Sequence, residues 1–216
     1  MLAHMIVLTV ILTAPSAAVA GAPADATRPI KLVVLGDSLS AGLGLSVNDA
    51  FPAKLQKALK DKGVNIDVTN AGVSGDTSSG GRDRLDWSVP AGTDGVIVEL
   101  GANDALRGTD PAVTRAALSD IVSRLKARGI SVLLCGMLAP PNYGSDFAAR
   151  FNSIYPDLAT SFGVPLYPFF LDGVAADAKL NQADGIHPTP AGVDIIVTRI
   201  MPMVEAFLGS ITRQSR

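Results

Sequence analysis

A chain of 216 residues and 22.2 kDa, 48% hydrophobic and 18% charged, is long enough for one domain with a substantial core and needs neither disulfides nor metals as staples. Its 18 Lys and Arg against 20 Asp and Glu leave a formal net charge of −2 with no basic cluster, which argues against a nucleic-acid partner. Cys135 is the single cysteine, which excludes an internal disulfide and a multi-cysteine zinc site, and only His4 and His187 supply imidazole.

Residues 1–20 read as an address rather than part of a fold. The apolar run from Met5 to Ala14 is about ten residues, too short to span a bilayer, and it leads into the small residues Ser16 to Ala20. Ala18 and Ala20 occupy the two small-residue positions of a signal-peptidase site, so a secretory leader cut before Gly21 is expected, although its start, MLAH, lacks Lys or Arg. The mature domain is then 21–216, secreted or periplasmic. No later segment is long enough for stable membrane insertion.

Beyond a polar lead-in, short β-type runs alternate with helix-type stretches, the pattern of a parallel sheet covered on both faces. Strands are expected at Ile30 to Leu35, Val64 to Thr69, Gly95 to Leu100, Ile130 to Cys135 and Val164 to Tyr167. Phe51, Leu55, Ala58 and Leu59 fall at helical spacing, as do Leu118, Ile121, Val122 and Leu125. Asp110 and Pro111 stand where an N-cap and first-turn proline belong, and Gly63 and Gly129 where helices end; Thr189-Pro190 opens a last helix. The expected architecture is α/β, a flavodoxin-like three-layer α/β/α fold with a five-stranded parallel sheet in the order 2-1-3-4-5.

In such sheets functional groups collect beyond the carboxyl ends of the strands. The segments there are Gly36-Asp37-Ser38-Leu39-Ser40, then Asn70 to Thr77, then Gly101-Ala102-Asn103-Asp104, and near the end Asp184-Gly185-Ile186-His187-Pro188. A serine nucleophile needs a base, a group that orients the base, and donors for the developing oxyanion. Ser38 follows a buried strand at a turn opened by glycine. His187 is the only histidine of the mature chain, and Asp184, three residues earlier, is placed to fix its tautomer. If the sheet has that order, strands two, one and three are adjacent, and the amides of Gly75 and Ser38 with the side chain of Asn103 would form a three-donor oxyanion hole.

These blocks, GDSLSAGLG (36–44), NAGVSGDTS (70–78), GAND (101–104) and DGIHP (184–188), resemble those of the SGNH or GDSL hydrolases in order and spacing. The resemblance is nearest the periplasmic thioesterase I, lysophospholipase and arylesterase branch, which PPNYG (140–144) and FNSIYPDLA (151–159) also match. It implies Ser38 as nucleophile, Gly75 and Asn103 as oxyanion donors, His187 as base and Asp184 as its orienting carboxylate. Ala102 stands where close relatives often carry Gly. The implied reaction is hydrolysis of carboxylic esters and thioesters through an acyl-Ser38 intermediate, without cofactor or metal.

Substrate contacts are expected from Leu106, Arg107 and Gly108, on a segment able to close over an acyl chain, or from Pro140 to Tyr143. Competing readings are a carbohydrate acetyl esterase of the same fold and, more distantly, a non-enzymatic binding module. Gly72, Gly75, Gly80 and Gly81 read as turn punctuation or as a phosphate cradle, but no GxxxxGK[ST] or GxGxxG fingerprint accompanies them. Asp37, Asp76 and Asp104 suit caps or turns beside the pocket better than a metal site. Trp87, Phe169 and Phe170 are expected in the core or pocket wall, and Cys135 as an inert packed thiol.

The leader makes one measurable prediction: exported protein should have the intact mass of a chain beginning at Gly21. A soluble, folded, exported product that retains residues 1–20 would remove the assignment.

Overall fold

The computed structural model describes residues 28–214, so the leader lies outside the described residues. Five parallel strands, β1 (Ile30–Gly36), β2 (Ile66–Gly72), β3 (Gly95–Glu99), β4 (Ser131–Cys135) and β5 (Leu166–Tyr167), form one sheet in the order β2-β1-β3-β4-β5. This is the expected order. The central strands are runs of Val, Leu and Ile because both faces are covered: Leu32 to Leu35, Val96 to Val98 and Val132 to Leu134 are all buried.

The helices are α1 (Ser38–Ala41), α2 (Phe51–Asp61), α3 (Ser78–Asp83), α4 (Leu85–Ser88), α5 (Ala102–Leu106), α6 (Pro111–Ala127), α7 (Gly144–Asn152), α8 (Ile154–Phe162) and α9 (Pro190–Gln214). On one face α2 packs against α9; on the other α6 packs against α3 and α8. Their inner stripes are the expected ones, Phe51, Leu55 and Leu59 on α2 and Leu118, Ile121, Val122 and Leu125 on α6, all inaccessible to solvent. Asp110 caps α6 by accepting from the Ala112 N–H at 3.1 Å, with Pro111 in the first turn.

Three expectations shift. β2 begins at Ile66 rather than Val64, because Val64 closes the end of α2 by donating to the Leu59 carbonyl at 3.0 Å. It then runs on to Gly72, paired with β1 as far as Gly36. β5 is only two residues long; Pro165 and Pro168 bracket it, and neither has an N–H to extend the ladder. Trp87 is 75% exposed instead of buried, because α4 turns Leu85 and Ser88, three apart on one face, toward the core and leaves Trp87 outside.

Phe170 and Cys135 are fully buried as expected. Gly80 and Gly81 lie inside α3 rather than in a turn. A Cβ at Gly81 would come 2.3 Å from Leu100, and one at Gly80 would run into the Asp76 carboxylate, so these positions serve close packing, not a phosphate cradle.

Candidate active site

At the carboxyl edge of the sheet, Gly36 of β1 pairs with Gly72 of β2 and Glu99 of β3, so the chain leaves three neighbouring strands at one level. Asp37 follows at once and caps α1, its Oδ1 accepting from the Leu39 N–H at 2.9 Å. That cap starts α1 at Ser38, whose hydroxyl faces the histidine loop. His187 Nε2 stands 2.9 Å from Ser38 Oγ, and His187 Nδ1 stands 2.6 Å from Asp184 Oδ2.

The second oxygen of Asp184 accepts from the backbone N–H groups of Ile186 at 2.9 Å and His187 at 3.0 Å. These two bonds, followed by that to the His187 ring, hold the carboxyl of Asp184 well below the usual carboxylate range. Gly185 takes φ 71°, the left-handed conformation that lets the chain fold Asp184 back onto the residues it bonds. The loop is anchored from outside as well. Gln182 donates through its side chain to the carbonyls of Leu43, at 2.8 Å, and Pro188, at 3.0 Å, tying the histidine loop to the chain just after α1.

The expected oxyanion donors lie beside Ser38. As the first residue of α1, Ser38 has an N–H with no acceptor inside the helix. Gly75, at φ 81°, has an N–H with no acceptor among the described residues. Asn103, in the first turn of α5, donates through Nδ2 to the Asp76 carbonyl at 2.9 Å and to Asp37 Oδ2 at 3.2 Å.

Beneath this surface are buried carboxyls whose part the sequence did not reveal. Glu99, which interrupts the apolar run of β3, is inaccessible; its Oε2 accepts from the Ser40 hydroxyl at 2.6 Å and its Oε1 has no partner among the described residues. Burial, reinforced by the nearby Asp37 charge, pushes its pKa far up, which disfavours the charged form. Asp37 is equally inaccessible, and burial raises it to about 6 against the pull of the Leu39 N–H. Asp104 turns inward rather than to the pocket, accepting from the Ser78 N–H at 2.8 Å and hydroxyl at 2.5 Å and from the Thr114 hydroxyl at 3.0 Å. A carboxyl flanked by hydroxyl residues in the fold has no linear pattern to announce it.

The two segments offered separately for substrate contact meet in one wall. Tyr143 donates its hydroxyl to the Leu106 carbonyl at 2.8 Å, and a Cβ at Gly108, φ 62°, would lie 2.8 Å from its ring. Arg107 reaches back to the Gly75 carbonyl at 2.8 Å, joining this wall to the loop that follows β2. From Tyr143 an aromatic series continues through Phe147 and Phe151 to Tyr155, with ring centroids 5.1, 5.9 and 6.0 Å apart. Tyr155 donates to the Leu100 carbonyl at 2.9 Å, directly before the Gly101–Asn103 turn. Pro140 begins this segment and is half-buried.

A parallel sheet of this order with a Ser–His–Asp relay at its carboxyl edge defines a hydrolase of the three-layer α/β/α type. Residues 34–195 match the GDSL-like Lipase/Acylhydrolase family. The chain belongs to that family, the SGNH hydrolases, enzymes that act on ester bonds. It is 40% identical over 178 residues to Esterase TesA of Pseudomonas aeruginosa, covering 82% of this chain and 89% of the relative. Thioesterase 1/protease 1/lysophospholipase L1 of Escherichia coli is also 40% identical, covering 80% of this chain and 84% of the relative. A crystal structure of TesA superposes with a TM-score of 0.78 at 40% identity, covering 82% of this chain and 99% of that one.

The raised pKa of Asp37 makes a prediction for stability. An unfolded aspartate titrates near ~3.9, so between there and about 6 the folded chain holds the proton more tightly. The stability contributed by neutral Asp37 is therefore complete below pH 4 or so and is lost as pH rises through about 6. Asp37→Asn stays neutral throughout. Its stability relative to wild type should rise between pH 4.5 and 7.5 by about 2 kcal/mol, read from urea midpoints. A difference that does not change with pH would show that Asp37 is not held uncharged by burial.

Proposed function

We propose that the protein is a secreted serine esterase that hydrolyses carboxylic esters and thioesters through an acyl-Ser38 intermediate. The observation that carries this reading is the continuous relay from Asp184 through His187 to Ser38, with contacts of 2.6 and 2.9 Å. Nδ1 of His187 donates to Asp184, which leaves Nε2 to accept the Ser38 proton as Oγ attacks the acyl carbon. The carbonyl oxygen becomes an oxyanion that receives the N–H groups of Ser38 and Gly75 and the Asn103 amide. The 3.2 Å bond from Asn103 to Asp37 is the weaker of its two, and it is the one the oxyanion replaces. The His187 imidazolium then protonates the departing alkoxide or thiolate, and water, deprotonated by the same nitrogen, releases the acid and restores Ser38.

An acyl substrate is favoured over an acetylated sugar by the side chains exposed on the site loops. Val73, Leu106, Tyr143 and Ile186 are 39–45% exposed, each a few residues from or bonded to a segment of the site. The names of the relatives, an esterase and a thioesterase/lysophospholipase, support the same bond types. Export is supported by the leader pattern of residues 1–20. No helix of the described residues is long and apolar enough to cross a membrane.

Ser38→Ala should abolish turnover of nitrophenyl butyrate with the fold preserved by circular dichroism, and His187→Ala should be comparably damaging. The losses should not multiply in the double variant, because either change disables one proton-transfer unit. A double variant far slower than both singles would contradict the relay.

The wall yields a prediction about specificity. Tyr143→Phe keeps the ring but removes the bond to the Leu106 carbonyl, which frees the 105–110 segment from its partner. The octanoyl to acetyl ratio of kcat/KM should fall severalfold, since each added methylene gains at most about 0.8 kcal/mol from an apolar wall held in place. An unchanged ratio would place the acyl site elsewhere.

A further inference from the structure

Arg84 lies at the junction of α3 and α4 and is 6% exposed, an unusual place for a guanidinium. Its fork has four bonds. Nη2 donates to the Gly36 carbonyl at 2.8 Å, and Nη1 to the Ala71 carbonyl at 2.8 Å and the Ser88 hydroxyl at 2.9 Å. Nε donates to Asp76 Oδ2 at 2.6 Å, in an ion pair whose side chains are 8% and 13% exposed.

These acceptors are not a random set. Gly36 is the last residue of β1, two before Ser38, and its carbonyl also accepts from the Val73 N–H at 3.1 Å. Ala71 is the penultimate residue of β2, four before Gly75. Asp76 follows Gly75 directly, and its own carbonyl receives the Asn103 amide at 2.9 Å. One planar cation thus spans the ends of two strands and the turn that carry all three oxyanion donors, either directly or through one further hydrogen bond.

We infer that Arg84 is a positioning residue for the proposed oxyanion hole, its guanidinium setting the spacing between the Ser38, Gly75 and Asn103 donors. The inference rests on the acyl-Ser38 reading and deepens it. A buried ion pair is a costly way to gain stability alone, because two charges are taken out of water. What the fork supplies, and a neutral or single-headed side chain does not, is several donors held in one plane at fixed angles. An oxyanion hole needs that rigidity, since its donors act only when already aimed at the place where charge develops.

Arg84 does not touch the substrate, so its loss should appear in kcat and not in KM. With nitrophenyl butyrate, Arg84→Gln should lower kcat on the order of a hundredfold while KM stays within about threefold. Arg84→Lys, which keeps the charge but not the fork, should restore only a small part. Leu125→Ala, buried on α6 near the opposite edge of the sheet, supplies a protein weakened by cavity formation, and its kcat per folded molecule should match wild type. Combined with Asn103→Ala, Arg84→Gln should cost less than the product of the two separate losses, because both act on one hole.

Folded Arg84 variants whose kcat matches that of Leu125→Ala, or losses that multiply with Asn103→Ala, would overturn the inference. Where Arg84→Gln does not fold, Asp76→Asn removes the ion pair from the other side; kcat should fall with KM held, and an unchanged kcat there would equally overturn it. Ser38→Ala separates the two levels. If it is inactive while Arg84 variants are normal, only the positioning role falls; if it turns over normally, the acyl-Ser38 reading falls with it.

Discussion

Parallel pairing of β1 between β2 and β3 brings three chain exits to one edge at the same level, with Gly36 opposite both Gly72 and Glu99. Ser38, Gly75 and Asn103 each follow one of those exits within a few residues, so their closeness in space is a property of the sheet before it is a property of any side chain. The histidine loop is the one part that comes from outside this arrangement. It lies near the far end of the sequence and is brought in by the chain leading to α9, then fastened by Gln182 to the Leu43 carbonyl.

The ground under the site is polar in a way that works against stability. Asp37, Glu99, Asp104 and Arg84 are all nearly or wholly buried within a short distance of the strand ends. Buried charges are costly unless they are paired or neutralised. Here Arg84 is paired with Asp76, Asp104 is satisfied by two hydroxyls and an N–H, and burial pushes the Glu99 pKa far up, disfavouring its charge. Asp37 is the least settled of the four, because its cap to Leu39 and its contact with Asn103 favour the charge that burial opposes. Active sites commonly carry such local costs in exchange for fixed dipoles, and the apolar core formed by α2, α6 and α9 against the sheet offsets them.

Around the rim the structure joins segments that are far apart in sequence. The 105–110 segment leans on Tyr143, Tyr143 begins an aromatic series that ends at Tyr155, and Tyr155 bonds back to the Leu100 carbonyl just before the turn that carries Asn103. The wall formed by the 105–110 segment and Tyr143 and the base of the Asn103 turn are therefore mechanically one unit. Arg107 closes it onto Gly75 from the other direction.

Much of this was legible in the amino-acid sequence. The strands, the helices of the core and the four blocks that carry Ser38, Gly75, Asn103, Asp184 and His187 can be read from hydrophobic period, capping residues and local motif, because each is encoded within a dozen residues or fewer. The ends of β2 and β5 and the outward turn of Trp87 could not be read so, since they depend on which residues have a ladder partner or a core to face. The same holds for Arg84, Glu99 and the Tyr143–Leu106 bond. Period and motif report the direction a side chain takes from its own element, whereas a buried ion pair or a carboxyl whose charge burial opposes is decided by groups many residues away that only the packed structure brings within hydrogen-bond reach.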